Sequence, residues 1–316
     1  AIPAFIPRPW ENGHFRRASY QRPIADSANW DTWDRTMHKK AIGRTAAVWS
    51  RTGERLARSL IPVLAILAPQ VVHAEENESG GAIAWDAEYV GDVMAVAQGP
   101  ATGTRYVDYL TLSTDVSLDK AVGWQGARLF LHGIASLGSQ PNDLAGAIQG
   151  IDNIEAPDRR AKLYEAYLEQ EFAGGRLNLR LGLSDLNTEF YVTDSAGLLL
   201  APAFGIGSEV AATGSAGPSI FPSTAPMARL RYQSEKGTYA QFGVFSVEAG
   251  VPGDIGGIRP LFDQGALLIG EVGAAINGKI GIGGWTYTHK QDDIRVLTLA
   301  GDPEQRQAYG VYALLD

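Results

Sequence analysis

The 316-residue chain contains no cysteine, which excludes disulfide frameworks, thiolate zinc sites and cysteine nucleophiles and is compatible with export. It also lacks any run of about 18 uninterrupted apolar residues, so no segment crosses a bilayer as a helix. Its 5 histidines, His14, His38, His73, His132 and His289, are scattered without metal-ligand spacing, and no Ser-His-Asp grouping has a motif around it. Glycine is abundant, but Gly278-Lys279-Ile280-Gly281-Ile282-Gly283-Gly284 lacks the Lys-Ser/Thr ending of a phosphate loop and lies inside a two-residue alternation. Neither a metal nor a cofactor is expected. What remains is the alternation itself.

Leu177, Leu179, Leu181 and Leu183 alternate with Asn178, Arg180, Gly182 and Ser184, which puts leucine on one face of a strand and polar or tiny residues on the other. Residues 161–172 precede this strand, and Gly174-Gly175 makes the turn of a hairpin. Similar segments separated by Gly, Pro, Asn and Asp occur at 84–97, 105–117, 125–134, 225–234, 238–248, 266–276, 279–289 and 306–315, with Asn277-Gly278 the strongest turn signal. A membrane protein without apolar helices crosses as a closed barrel. The fold expected is therefore all-β, an antiparallel transmembrane β-barrel of which about ten strands are present. Glycine within such strands relieves curvature or leaves room for a facing side chain. The connections 135–158 and 185–224, rich in Gly, Pro, Ser and Ala, either hold short helices or fold into the pore.

Targeting signals point the same way. Arg55 and Arg58 precede the apolar run Leu60–Ala68, and Val72-His73-Ala74 places small residues three and one before Glu75. This is the three-part pattern of a secretory signal peptide over residues 55–74. Composition changes there: residues 1–58 hold 11 Lys and Arg against 5 Asp and Glu, and residues 59–316 hold 16 against 30. Residues 1–54 read as an unstructured leader or an over-extended start, and residues 75–316 as a partial barrel domain. Without dense Lys/Arg clusters or a recognisable module, the leader is not expected to bind nucleic acid. A chain ending just after a strand, with Leu315-Asp316 in place of a terminal aromatic residue, reads as C-terminally incomplete and unclosed.

Several uncommon words occur in order: Val122-Gly123-Trp124-Gln125-Gly126-Ala127, Asn153-Ile154-Glu155-Ala156-Pro157, Leu163-Tyr164-Glu165-Ala166-Tyr167-Leu168-Glu169-Gln170, Asp185-Leu186-Asn187-Thr188-Glu189-Phe190 and Phe221-Pro222-Ser223-Thr224-Ala225-Pro226. In order and spacing they resemble the carbohydrate-selective porins of the OprB type, from about residue 80 to the end. The resemblance implies a bacterial outer-membrane barrel of roughly sixteen strands. It also implies passive diffusion of monosaccharides or small oligosaccharides, with outer-membrane lipid around the barrel and no enzymatic activity.

Sugar passage needs hydrogen-bonding groups at a constriction and often aromatic faces for pyranose rings. The alternation makes Glu165, Glu169, Arg180, Arg229 and Arg231 the channel-lining, substrate-contacting candidates, since Arg and Glu together offer donors and acceptors to hydroxyls. Trp85, Trp124, Tyr106, Tyr109 and Tyr232 read as anchors at the membrane interface. Asp185, Asn187 and Glu189 either line an inward loop or cap a turn. The rival readings are a β-barrel hydrolase using Glu165 and Glu169, or a plugged structural or binding barrel. Carboxylates four apart on one strand lie about 13 Å apart, beyond the roughly 5–9.5 Å of glycoside hydrolases, so that pairing fails.

Overall fold

A computed structural model describes residues 70–73 and 81–316, apart from residues 137, 158, 215, 216, 253, 255–257, 259–261, 263, 276 and 277. The leader and all but Gln70–His73 of the signal-peptide reading lie outside these residues, as does Asn277. None of the described helices is long and apolar enough to cross a membrane.

The strands are β1 (Gln70–His73), β2 (Ile83–Val96), β3 (Gly103–Ser117), β4 (Ala127–Ser136), β5 (Arg160–Phe172), β6 (Leu177–Ser184) and β7 (Ala225–Gln233). They continue with β8 (Thr238–Ser246), β9 (Ala266–Ala275), β10 (Lys279–Tyr287), β11 (Gln291–Leu297), β12 (Pro303–Arg306) and β13 (Tyr309–Leu315). One 11-stranded sheet runs β1 to β10 in sequence order and then β13, every pairing antiparallel, while β11 and β12 form a separate hairpin. All ten expected strands are present. The sequence pattern missed β1, β11 and β12, all short or irregularly alternating. Among the described residues no ladder joins β13 to β1 or β2, so the sheet is open.

Connections alternate between the two ends of the sheet. At one end are the short turns 173–176 and 234–237 and the helical turn Leu118–Val122, with Gly174 and Gly175 at φ of 68° and 82°, a region only glycine enters without strain. At the other end are the long connections 137–159, 185–224 and 247–265 and the excursion that carries β11 and β12.

The two faces differ as the alternation requires. One carries Leu112, Leu181, Leu230, Phe242, Val272 and Ile282, all exposed. The other is polar at its middle and covered by the long connections. Leu186, Phe190 and Val210 of the 185–224 connection bury against Phe245, Leu267, Ile269 and Tyr287 of the sheet. Ile154, Ala156 and Phe221 bury against Val90, Val107, Tyr109, Ile134 and Tyr164. Tyr109 thus departs from its expected place at the membrane interface: it faces the covered side, edge-on to Phe221 at 5.7 Å. Trp85, Trp124, Tyr106 and Tyr232 are exposed.

Strict alternation breaks once in β5. His132 pairs with Glu165 but Gly133 with Leu163, so Tyr164 is an extra residue, a bulge. Its consequence is that Tyr164 and Glu165 are both buried, which a pure two-residue period forbids.

Candidate functional site

Register brings the polar residues of the covered face into two neighbouring rows across the strands. The first row is Arg128, Glu169, Arg180 and Arg229, each directly opposite the next on β4, β5, β6 and β7. The second, two residues nearer the short turns, is Glu171, Asn178, Arg231, Gln241, Glu271, Gly283 and Tyr312 on β5 to β10 and β13, with Glu171 exposed.

In the first row Glu169 is the common acceptor. Its carboxylate takes Arg128 Nε at 2.7 Å, Arg180 Nη2 at 3.0 Å and Arg229 Nη2 at 3.5 Å, and Arg128 also pairs with Asp115. Arg180 and Arg229 stand directly opposite one another, an arrangement that repels. Glu189 of the long connection reaches in to bridge them, at 2.8 Å from Arg180 Nη1 and 2.9 Å from Arg229 Nη2. Arg229 also donates to Asn178, and the Arg180 guanidinium lies 3.9 Å from the Tyr167 ring centroid. The arginines are held as a rigid fence, at least doubly bonded, with little freedom to reorient.

Glu271 organises the second row. It accepts from Tyr239 OH and Tyr312 OH, both at 2.8 Å, from the Tyr191 amide at 3.0 Å and from Gln241 Nε2 at 3.3 Å, with Lys279 Nζ at 3.7 Å. Glycines of β9 and β10 leave room for these tyrosines. A Cβ on Gly283 would fall within the Tyr312 ring, and one on Gly273 would meet the Tyr239 hydroxyl region at 2.7 Å. Arg231 differs from the other arginines. Its partners are the neutral amides of Gln241 at 3.0 Å and Gln233 at 3.4 Å, and it lies 4.7 Å from the Tyr239 ring centroid.

The 185–224 connection both caps a turn and lines the site, so both readings of its acidic segment hold. Asp185 caps the 3-10 turn Leu186–Thr188 by accepting from the Asn187 amide at 2.8 Å, and also accepts from Tyr164 OH. Glu189 enters the fence. The chain then crosses the second row: Tyr191 takes a left-handed φ of 61°, rare for a residue with a side chain, and its ring lies tilted against Tyr312 with centroids 4.4 Å apart. Lys279 Nζ donates to Val192 O at 2.7 Å, and Asp316 accepts from the amides of Asp194 and Ser195. This segment is a strap laid over the covered face from β6 to β13.

The structure thus brings Glu169, Arg180 and Arg229 together, sets Arg231 in the adjoining row and places Glu165 apart. Glu165 accepts from Ser184 Oγ at 2.6 Å and the Asp185 amide at 3.1 Å, with His132 Nδ1 at 3.3 Å, so it anchors the start of the strap. Glu271, Tyr239, Lys279 and Tyr191 escaped the sequence reading, although Gly281 and Gly283 of β10 were a sign of large side chains lying opposite.

Away from the rows, the 137–159 connection buries Asp152 and Glu155 completely or nearly so, and burial pushes both carboxyls up to about 7. Among the described residues Asp152 Oδ2 has no hydrogen-bond partner, while the Glu155 carboxylate takes the Asn142 amide at 3.3 Å. At the rim, Arg160 grips Asp254 with two bonds of 2.7 and 2.6 Å and holds that carboxyl below its ordinary range. Among the described residues, no group of three or more His, Asp or Glu is arranged to hold a metal ion.

A family model described as the carbohydrate-selective porin, OprB family, matches residues 101–316. Among solved structures, the chain is similar to the high-pH structure of Pseudomonas putida OprB, with a TM-score of 0.60 at 20% identity, covering 73% of this chain and 60% of that one. The low-pH structure of Pseudomonas putida OprB aligns with a TM-score of 0.40 at 16% identity, over 74% of this chain and 67% of that one. The chain therefore spans about 60% of the length of the first of these structures. No curated protein sequence matches it.

Proposed function

The chain belongs to the carbohydrate-selective porin, OprB family, and from that membership we propose that it forms a bacterial outer-membrane channel through which sugars and similar small polar solutes diffuse passively. The exposed apolar face meets lipid, the strap-covered face lines the lumen, and residues 55–74 direct export as a signal peptide. The observation that carries the reading is the pair of rows. Guanidinium groups, carboxylates, amides and tyrosine rings stand side by side, all the arginines but Arg231 paired with carboxylates, an environment that offers both donors and acceptors to hydroxyl groups. Glu169, Arg180, Arg229 and Arg231 are the lining residues of this reading, and Glu165 supports the strap.

The hydrolase reading requires a carboxylate available for proton or glycosyl transfer. Glu169 is engaged by three guanidinium groups and Glu165 by Ser184, the Asp185 amide and His132, which supports a wall role for both. A plugged barrel is favoured by one observation, the apolar burial of Leu186, Phe190 and Val210 over the lumen face.

Liposome permeation separates these readings. The protein from Glu75 onward, continued to its natural stop codon, is reconstituted and the entry of glucose is compared with that of similarly sized amino acids and salts. Faster glucose entry is the expected result. Equal entry of all solutes indicates a general pore, and no entry a plugged barrel.

A further inference from the structure

Five cations stand in the two rows or against them: Arg128, Arg180, Arg229, Arg231 and Lys279. Four of the five lie within 4 Å of a carboxylate, from Asp115, Glu169, Glu189 or Glu271. Arg231 is the exception among the described residues. Its direct neighbours across the ladder are Asn178 and Gln241, so register sets neutral amides on both sides of it. Among the described residues its Nε, like that of Arg229, meets no acceptor, and its bonds to Gln241 and Gln233 are to neutral oxygens. Bonds between a guanidinium and an anion are roughly twice as strong as those to a neutral acceptor, so Arg231 loses little by turning toward an anionic ligand. Lys279 lies 5.7 Å from the Tyr239 ring centroid, which Arg231 also approaches, so a second cation borders the same aromatic surface.

We infer that Arg231 is a carboxylate-binding subsite for sugar acids, polyhydroxylated monocarboxylates such as hexuronates and aldonates, at the short-turn end of the lumen. The guanidinium takes the carboxylate, Lys279 adds to the local positive field, and the tyrosine and glutamine groups around it meet the hydroxyls. A doubly compensated arginine such as Arg180 cannot serve in this way, because an incoming carboxylate would have to displace Glu169 or Glu189. The inference rests on the channel reading only for access of sugars to this face.

Calorimetric titration of the full chain in detergent at neutral pH with galacturonate and galactose, which share a ring and differ in one carboxylate, tests it. Galacturonate is expected to bind about tenfold more tightly, with the difference shrinking as salt is raised. Arg231→Gln should bring the ratio of the two affinities close to one, and Arg231→Lys, which keeps the charge without the planar fork, should leave an intermediate ratio. Equal binding of the two sugars by the unaltered protein overturns the inference, as does an undiminished ratio in a folded Arg231→Gln variant. Galactose entry into proteoliposomes is measured separately: a barrel that lets none through while keeping the galacturonate preference retains the subsite and loses the channel reading.

Discussion

Glu169 and Arg231 mark the extremes of how a charge is kept inside this sheet. Glu169 is 2% exposed and binds three guanidinium groups, so Glu169→Ala leaves Arg128, Arg180 and Arg229 short of a counter-charge. Breaking a buried ion pair from one side costs about 3–5 kcal/mol, and urea unfolding in lipid should register a loss of that size. Arg229 belongs to the same fence, whereas Arg231 does not. Arg229→Ala is therefore expected to act mainly on stability, because Glu169 would keep only Arg128 and Arg180 and Glu189 only Arg180, and Arg231→Ala mainly on solute preference. Unfolding midpoints set beside permeation ratios for the two single variants would reveal this division; equal loss of stability in both would contradict it.

At the scale of strands and connections, two properties invite measurement. The first is the lipid-facing side of β10. Ile282 is 63% exposed there, so Ile282→Arg should destabilise the barrel by about 2–4 kcal/mol if it sits near the bilayer midplane, with less effect toward the interfaces. The second is the 137–159 connection. Asp152 and Glu155 titrate near 7 while buried, but near 4 once exposed, so between those values the docked connection binds more protons than the released one. Docking is then strongest below about pH 4 and weakens as pH rises through about 7, helped by repulsion from Asp92 and Asp143. Hydrogen exchange of residues 137–159 should quicken across that window, and Asp152→Asn should flatten the dependence. An exchange rate that follows only the intrinsic chemistry of pH would refute it.

For the molecule as a whole, the wall was legible in the sequence and the interior was only partly so. Ten strands followed from a two-residue period that lipid on one side and polar groups on the other impose on every span, as in Leu177 to Ser184. Arg180, Arg229 and Glu169 followed from the same period. Glu189 as the bridge between two opposed arginines did not, because it comes from a connection without periodicity and its partners are fixed by register between β6 and β7. Nor did the burial of both Tyr164 and Glu165, which depends on a single extra residue in β5. The strap carries a further consequence, one of timing. Neighbouring strands pair through short turns, but the Asp194 amide meets a partner 122 positions later in the chain, at Asp316. Closing so large a loop is slow compared with forming adjacent hairpins, so the sheet assembles first and the strap settles afterward. If the sheet lines a channel as proposed, its pathway is thus wide before it is narrow, and a time-resolved experiment should find solute leak peaking early and declining as β13 meets the strap.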